Sequence, residues 1–356
     1  MYNYNLLKHL YEVHSPSNRE KKMRRVVRRY CEQFGASVTQ DSGGNLLVTK
    51  GDALTYPCIV AHLDQVQERH AKDFRVVKID DTIIGYSPKK HEQQGLGADD
   101  KNGIWVALEM LEKFDILKAA FFVGEEIGCI GSSRTDMSFF NDCGFVIQAD
   151  RRNGNDLITD ISGTICSEEF LEAIDYKDFG YKPTGGMMTD VLELSERGIG
   201  VSCINFSCGY YDPHTDEEST SWSELCNARD FAEHIIAKCG GNIYPHKYES
   251  SWGKWKAGNG KSLYGSGYYD DYYDGSEEYE FDYEQMLELL ELWPSATFDE
   301  ISSCYADQFF SRGERLRSIY EDCKYDRAIR ADFFGEGDGY SDAEVIDIID
   351  DKEQEK

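Results

Sequence analysis

The sequence predicts an α/β fold, a three-layer sandwich whose mostly parallel central sheet has helices on both faces. Two observations indicate it. Short, continuous apolar runs are typical of strands buried on both faces of a parallel sheet, and these runs alternate with segments of helical periodicity. A change in composition near residue 245 further indicates an acidic, partly helical C-terminal extension. A chain of 356 residues is long enough for a substantial core and is typical of about two domains.

The first elements are helical. Residues 5–34 have the pattern of two amphipathic helices, interrupted at 14–17, where Ser17 would cap the second helix. A turn-rich run at 41–45 then leads into a short strand at 46–49.

Strands and helices alternate after this point. Apolar runs predict buried strands at 58–61, 119–123, 144–148 and 199–206. Helical patterns fall at 102–113, 167–176 and 217–238. This alternation predicts the sandwich, which we expect to occupy residues 1–244.

The C-terminal part has a different composition. Residues 245–356 contain 28 acidic and 12 basic residues, and residues 245–282 are rich in Tyr, Gly and acidic side chains. We therefore predict a linker at 245–282 and a small, acidic, helical extension at 283–356 that could recruit a protein partner.

Composition excludes several function classes. A net charge of −28 and a pI near 4.6 disfavour binding to nucleic acid or to an anionic membrane. The sequence has no apolar run long enough to span a bilayer. Its first residues lack a basic segment followed by an apolar one, so we do not expect a signal peptide. Eleven cysteines without a CxxC pair favour buried free thiols in a reducing compartment. These features predict a cytoplasmic protein.

Acidic and imidazole side chains follow the predicted strands. They are His62 and Asp64 after the first, Glu125 and Glu126 after the second, Asp150 after the third, and His214 beyond the fourth, with an Asp99-Asp100 pair opening a helix. The carboxyl edge of an open α/β sheet is where ligands bind. Imidazoles and carboxylates without cysteine suit a catalytic metal pair, which also needs a carboxylate as general base.

Each of these motifs alone has an ordinary structural explanation. An Asp pair before a helix is usually a cap, and a Glu pair is usually a solvated surface. Their joint order at successive strand ends is what favours a functional site.

The pattern resembles the co-catalytic di-zinc exopeptidases, and peptidase T most of all. The similar motifs are Ala-His-Leu-Asp at 61–64, Gly-Ala-Asp-Asp-Lys at 97–101, Glu-Glu at 125–126, and a Gly-Gly segment at 185–190 that leads to His214. The resemblance covers about residues 5–240.

The resemblance implies a role for each position. Asp100 would bridge two Zn²⁺ ions, for which Co²⁺ or Mn²⁺ could substitute, and the peptide bond after this residue would be cis. The other metal ligands would be His62 and Asp150 at one ion, and Glu126 and His214 at the second. Glu125 would be the general base, and Asp64 would orient His62.

The resemblance also bears on substrate. Aspartate at position 150 is typical of the family's aminopeptidases, and glutamate there of its carboxypeptidases and deacylases. The 64 residues from Asp150 to His214, and the 38 from His62 to Asp100, are too few for the lid domain of peptidase T. We therefore expect residues 1–244 to be a lidless catalytic domain acting on short peptides.

Two alternatives stay open. One is an amidohydrolase of the same superfamily that acts on N-acyl amino acids or dipeptides. The other is a peptidase-like binding or scaffold protein that uses the acidic tail.

Overall fold

The computed structural model describes residues 2–250. The predicted extension at 283–356, and the linker beyond residue 250, lie outside these residues. The helices are α1 (Tyr4–Glu12), α2 (Lys21–Gln33), α3 (Ala98–Lys113), α4 (Ile130–Arg134), α5 (Glu168–Ala173), α6 (Asp190–Glu196) and α7 (Trp222–Cys239). The strands are β1 (Ser37–Gln40), β2 (Leu46–Lys50), β3 (Tyr56–His62), β4 (Arg75–Ile79), β5 (Thr82–Ser87), β6 (Glu92–Gln94), β7 (Leu117–Phe122), β8 (Cys143–Arg151), β9 (Asp156–Asp160), β10 (Lys182–Gly185), β11 (Cys203–Ser207), β12 (Tyr210–Tyr211) and β13 (Ser219–Ser221).

The larger of two sheets has eight strands in the order β1-β2-β7-β3-β8-β11-β9-β10. Its four central strands, β7, β3, β8 and β11, are parallel to their neighbours within this group. The β1–β2, β2–β7 and β9–β11 pairs are antiparallel. The parallel centre of the sheet confirms the prediction from the apolar runs.

Side chains of the central strands alternate between two apolar layers. Ile59 and Ala61 of β3 belong to the core that includes α1, α2, α3, α5 and α7. Cys58 and Val60 belong to a second core on the opposite face, with Val191 of α6, and α4 packs against α6. Helices therefore cover both faces, and the three-layer sandwich is confirmed.

The central helix α3 is buried around most of its circumference, which explains its continuous apolar sequence. It begins four residues earlier than predicted, at Ala98, with non-helical backbone at Asp99 and Asp100. Gly97, at φ 63°, precedes it in the left-handed region that favours glycine. This irregular start places two carboxylates at the edge of the sheet.

The smaller sheet was not predicted. Its strands are arranged in the order β12-β13-β5-β4, and β6 pairs with β5. The strands β4, β5 and β6 lie between β3 and α3 in the sequence, whereas β12 and β13 follow β11. The predicted helix at 217–238 begins at Trp222 instead, because Ser219–Ser221 pairs with β5 and Ser221 caps the helix through the N–H of Glu224. This sheet places the loop that contains His214.

Two further expectations, on Ser17 and on the cysteines, can be compared with the structure. Ser17 does not cap α2, because its hydroxyl donates to Asp64 Oδ2 at 2.8 Å. The nine cysteines among the described residues are all free and buried, as expected. The chain stays packed beyond residue 244, since the Tyr248 hydroxyl donates to the Ile161 carbonyl. None of the described helices has the length and apolar composition needed to cross a membrane.

Candidate metal centre

His62, the last residue of β3, lies in a first group of potential metal ligands with Asp99 and Asp150. Its Nε2 is 3.0 Å from Asp99 Oδ1 and 3.8 Å from Asp150 Oδ1. The side chain of His62 is fully buried. Its Nδ1 lies 3.1 Å from the Asp64 carbonyl oxygen, which can only accept, so Nδ1 holds a proton and Nε2, which faces the carboxylates, is the nitrogen suited to bind a metal ion.

A second group contains Asp99, Glu126 and His214. The Nε2 atom of His214 is 3.0 Å from Glu126 Oε2 and 3.4 Å from Asp99 Oδ2. Each oxygen of Asp99 therefore faces one imidazole, and Asp99 belongs to both groups. The second group is more open, since the side chain of His214 is 48% exposed.

Asp99 occupies the shared position that we had expected for Asp100, and this expectation is corrected. Both oxygens of Asp100 point away from the two groups, because Oδ2 accepts from the N–H of His62 (3.1 Å) and Oδ1 from the N–H of Gly103 (2.9 Å). The cis peptide bond likewise joins Asp99 to Asp100 and not Asp100 to Lys101. Asp100 therefore holds the backbone N–H of His62, a potential ligand, and does not face the two imidazoles.

Glu125 lies beside the first group, with Oε2 4.0 Å from Nε2 of His62. Its other oxygen accepts a hydrogen bond from the Cys129 thiol at 3.6 Å. Burial, with the nearby charges of Asp190 and Asp99, raises the pKa of Glu125 to about 8. A carboxylate beside the potential metal ligands is suited to accept a proton and to return it.

Asp64 connects the two strand-end loops. Its Oδ1 accepts from the N–H of Glu125 at 3.0 Å, and its Oδ2 from the N–H of Glu126 at 3.2 Å. The same Oδ1 is 3.4 Å from Nδ1 of His62. Asp64 thus contacts the imidazole and both glutamates that the sequence singled out.

Glu218 was not among the predicted site residues. Its fully buried carboxylate accepts from the N–H groups of Gly97 (2.6 Å) and Asp99 (3.1 Å). It follows His214 by four residues, so it joins the loop of one imidazole to the turn that positions the shared carboxylate. Glu218 falls within the segment 217–238, which the sequence predicts to be helical.

The donor set fits a pair of divalent metal ions. The two groups and Glu125 supply four carboxylates and two imidazoles, and no thiolate. The Oε1 atom of Glu126 is buried without a hydrogen-bond partner among the described residues, as expected for a ligand atom. Burial and the charges of Asp100 and Asp99 raise the pKa of Asp150 well above its usual value. Divalent cations would compensate this excess of negative charge, and oxygen and nitrogen ligands suit zinc, cobalt or manganese.

No protein-family model and no curated protein matches this chain, but solved structures share its fold. The aminopeptidase PepT from Bacillus cereus ATCC 10987 aligns with a TM-score of 0.55 and 15% identity over 66% of this chain and 97% of its own. A tripeptidase from Staphylococcus aureus subsp. aureus Mu50 gives a TM-score of 0.54 and 14% identity, over 65% and 96%. An aminopeptidase from the archaeon Desulfurococcus kamchatkensis aligns with a TM-score of 0.51 and 16% identity, over 66% of this chain and 97% of its own. These similarities show that the chain has the fold of these peptidases.

Proposed function

We propose that this chain is a metal-dependent aminopeptidase that removes the N-terminal residue of short peptides. The observation that supports it best is the position of Asp99, whose two carboxylate oxygens face His62 and His214 with Glu125 beside them. This arrangement is the one that a shared, two-metal hydrolytic site requires.

The chain's residues divide between two ions. His62, Asp99 and Asp150 would hold the first ion, and Asp99, Glu126 and His214 the second. When bound, the metal pair would polarise the scissile carbonyl and favour loss of a proton from the attacking water.

Glu125 would act in both halves of the reaction. Its Oε2 faces the first group, so it can take the proton from the attacking water and then deliver it to the leaving amine. The new carbon–oxygen bond forms first, and the carbon–nitrogen bond breaks as the amine receives the proton from Glu125. The second proton of the water then passes from the new carboxyl group to the amine, which leaves a free carboxylate and a protonated amine. Asp64 would hold Glu125 in place through its backbone N–H.

The direction of cleavage follows from two features. Aspartate at position 150 favours an aminopeptidase, according to the family resemblance. The surplus of carboxylates at the site would also attract a protonated substrate amine.

The test uses the purified full chain and a matched Glu125→Gln variant. Metal content is measured by mass spectrometry, and turnover with aminoacyl reporters and with their N-acetylated counterparts. We expect cleavage of the unblocked reporters only, and a loss of several orders of magnitude in the variant, with metal retained. Undiminished turnover in the variant would refute the role of Glu125. Cleavage of the acetylated reporters alone would favour the amidohydrolase, and no metal under saturating zinc would favour the scaffold protein.

A further inference from the structure

Two uncharged polar side chains contact Asp150, and a third links these two by hydrogen bonds. They are Gln148, Thr189 and Asn205, and all three are buried, with Gln148 fully so. No role in the centre was assigned to them from the sequence. Because buried polar groups need partners, the pattern of donors and acceptors among them fixes how each is oriented.

Gln148 can adopt only one amide orientation. One end of its side chain lies 3.2 Å from the N–H of Val191, which can only donate, so this end is the carbonyl oxygen, and it also accepts from the Thr189 hydroxyl at 2.8 Å. The amide nitrogen therefore faces the opposite side. It donates to Asp150 Oδ2 at 3.0 Å and lies 3.5 Å from Asp190 Oδ2.

Asn205 holds the backbone of the same ligand. Its Oδ1 accepts from the N–H of Asp150, and its Nδ2 donates to the Asp150 carbonyl, each at 2.9 Å. The Nδ2 of Asn205 also donates to the Thr189 hydroxyl at 3.1 Å. Thr189 therefore donates to Gln148 and accepts from Asn205, and its hydroxyl links the two residues that contact Asp150.

The network bonds only one oxygen of Asp150. Gln148 holds Oδ2, while Oδ1 lies 3.8 Å from Nε2 of His62, on the side of the first group, and also lies 3.4 Å from the Tyr210 hydroxyl, which belongs to neither group. In the described part of the chain, the hydrogen bonds of Gln148, Thr189 and Asn205 do not reach Glu126 or His214. The support is specific to the first group.

We infer that Gln148 is a positioning residue for the first metal ion only, and that Thr189 acts through it. This inference rests on the proposed metal centre. Its consequence is that binding of the first ion can be weakened without weakening binding of the second. The second group is supported by Asp64 and Glu218 and makes no use of the amide of Gln148.

The test measures zinc affinity, by competition with a chelator, in two single-site backgrounds of the full chain. His214→Ala leaves the first group, and His62→Ala leaves the second. We expect Gln148→Leu to weaken zinc binding by roughly 10- to 100-fold in the His214→Ala background and to have no effect in the other. Thr189→Val removes the hydroxyl that donates to Gln148, so it should also weaken zinc binding in the His214→Ala background. Thr135→Val is the matched control, because the Thr135 hydroxyl is buried without a partner in the described residues.

The outcomes separate the inference from the proposed function. Equal weakening of zinc binding in both backgrounds, or no weakening in either, would overturn the inference. If the wild-type chain still binds zinc, the proposed metal centre would stand. A wild-type chain that binds no zinc would overturn both. Weakening confined to the His214→Ala background, and absent in the Thr135→Val control, would support the inference and the metal centre on which it rests.

Discussion

Oδ1 of Asp64 accepts a hydrogen bond of 3.0 Å from the backbone N–H of Glu125, across 61 residues of sequence. The contact links the loop after β3 to the loop after β7, two adjacent parallel strands. Through it, the carboxylate that faces His62 also fixes the proposed general base. The position of Glu125 thus depends on a residue that is not itself expected to bind metal.

We predict that Asp64→Asn lowers both zinc affinity and turnover. The amide group replaces one acceptor by a donor, so the N–H of Glu125 or of Glu126 loses its partner. A loss of roughly 10- to 100-fold in zinc affinity is expected, measured by chelator competition. Unchanged affinity and unchanged kcat would show that Asp64 does not position the centre.

We predict that Gly103→Ala destabilises the protein and weakens metal binding. A Cβ at this position would overlap the Asp100 carboxylate, which would have to leave the N–H of His62. Overpacking of this kind costs about 1–3 kcal/mol in the free energy of unfolding, measured by urea denaturation. Gly241→Ala is the control, since nothing lies within 4 Å of its Cβ. Equal stability of the two variants would contradict the close approach of Asp100.

We predict that Glu218→Ala weakens the binding of both metal ions, because the variant removes the acceptor for the N–H of Asp99, the shared ligand. Zinc content after dialysis is the measurement. The control is Glu217→Ala, whose exposed side chain lies next in sequence. If the Glu218 variant kept as much zinc as the Glu217 variant, the proposed support of Asp99 would be refuted.

Zinc binding should release protons at neutral pH and weaken in acid. Asp99 and Glu126 raise the pKa of His214 to about 10, so the metal-free side chain holds a proton at pH 7 that zinc must displace. Affinity should therefore rise as the pH rises toward that value. Calorimetry in buffers of different ionisation enthalpy measures the released protons. His214→Ala should release fewer, and equal release by both proteins would contradict this assignment.

The sequence predicts most of the larger sheet because its central strands are buried on both faces, and such strands are continuous apolar runs. The strands β4 and β5 were missed because they are partly exposed and their sequences mix apolar and polar residues without a clear run.

The positions of the candidate ligands were predictable to within one residue. His62, Glu126, Asp150 and His214 lie together as expected, whereas the choice between Asp99 and Asp100 depends on the backbone of the turn that Gly97 and Glu218 set. No motif distinguishes two adjacent aspartates. Gln148 and Asn205 lie within predicted strands. A single polar residue in an apolar run does not indicate that its side chain will bond to Asp150.

The most direct test of the account is the zinc content of Asp99→Ala beside that of Asp100→Asn and the wild type, measured by mass spectrometry after dialysis. We expect about two zinc ions per wild-type chain and almost none in Asp99→Ala, because both groups lose their shared carboxylate. Asp100→Asn should retain more zinc than Asp99→Ala, because it removes no proposed ligand and only one of the two acceptors for the N–H groups of His62 and Gly103. Full retention in Asp99→Ala, or loss of both ions in Asp100→Asn alone, would contradict the shared position of Asp99.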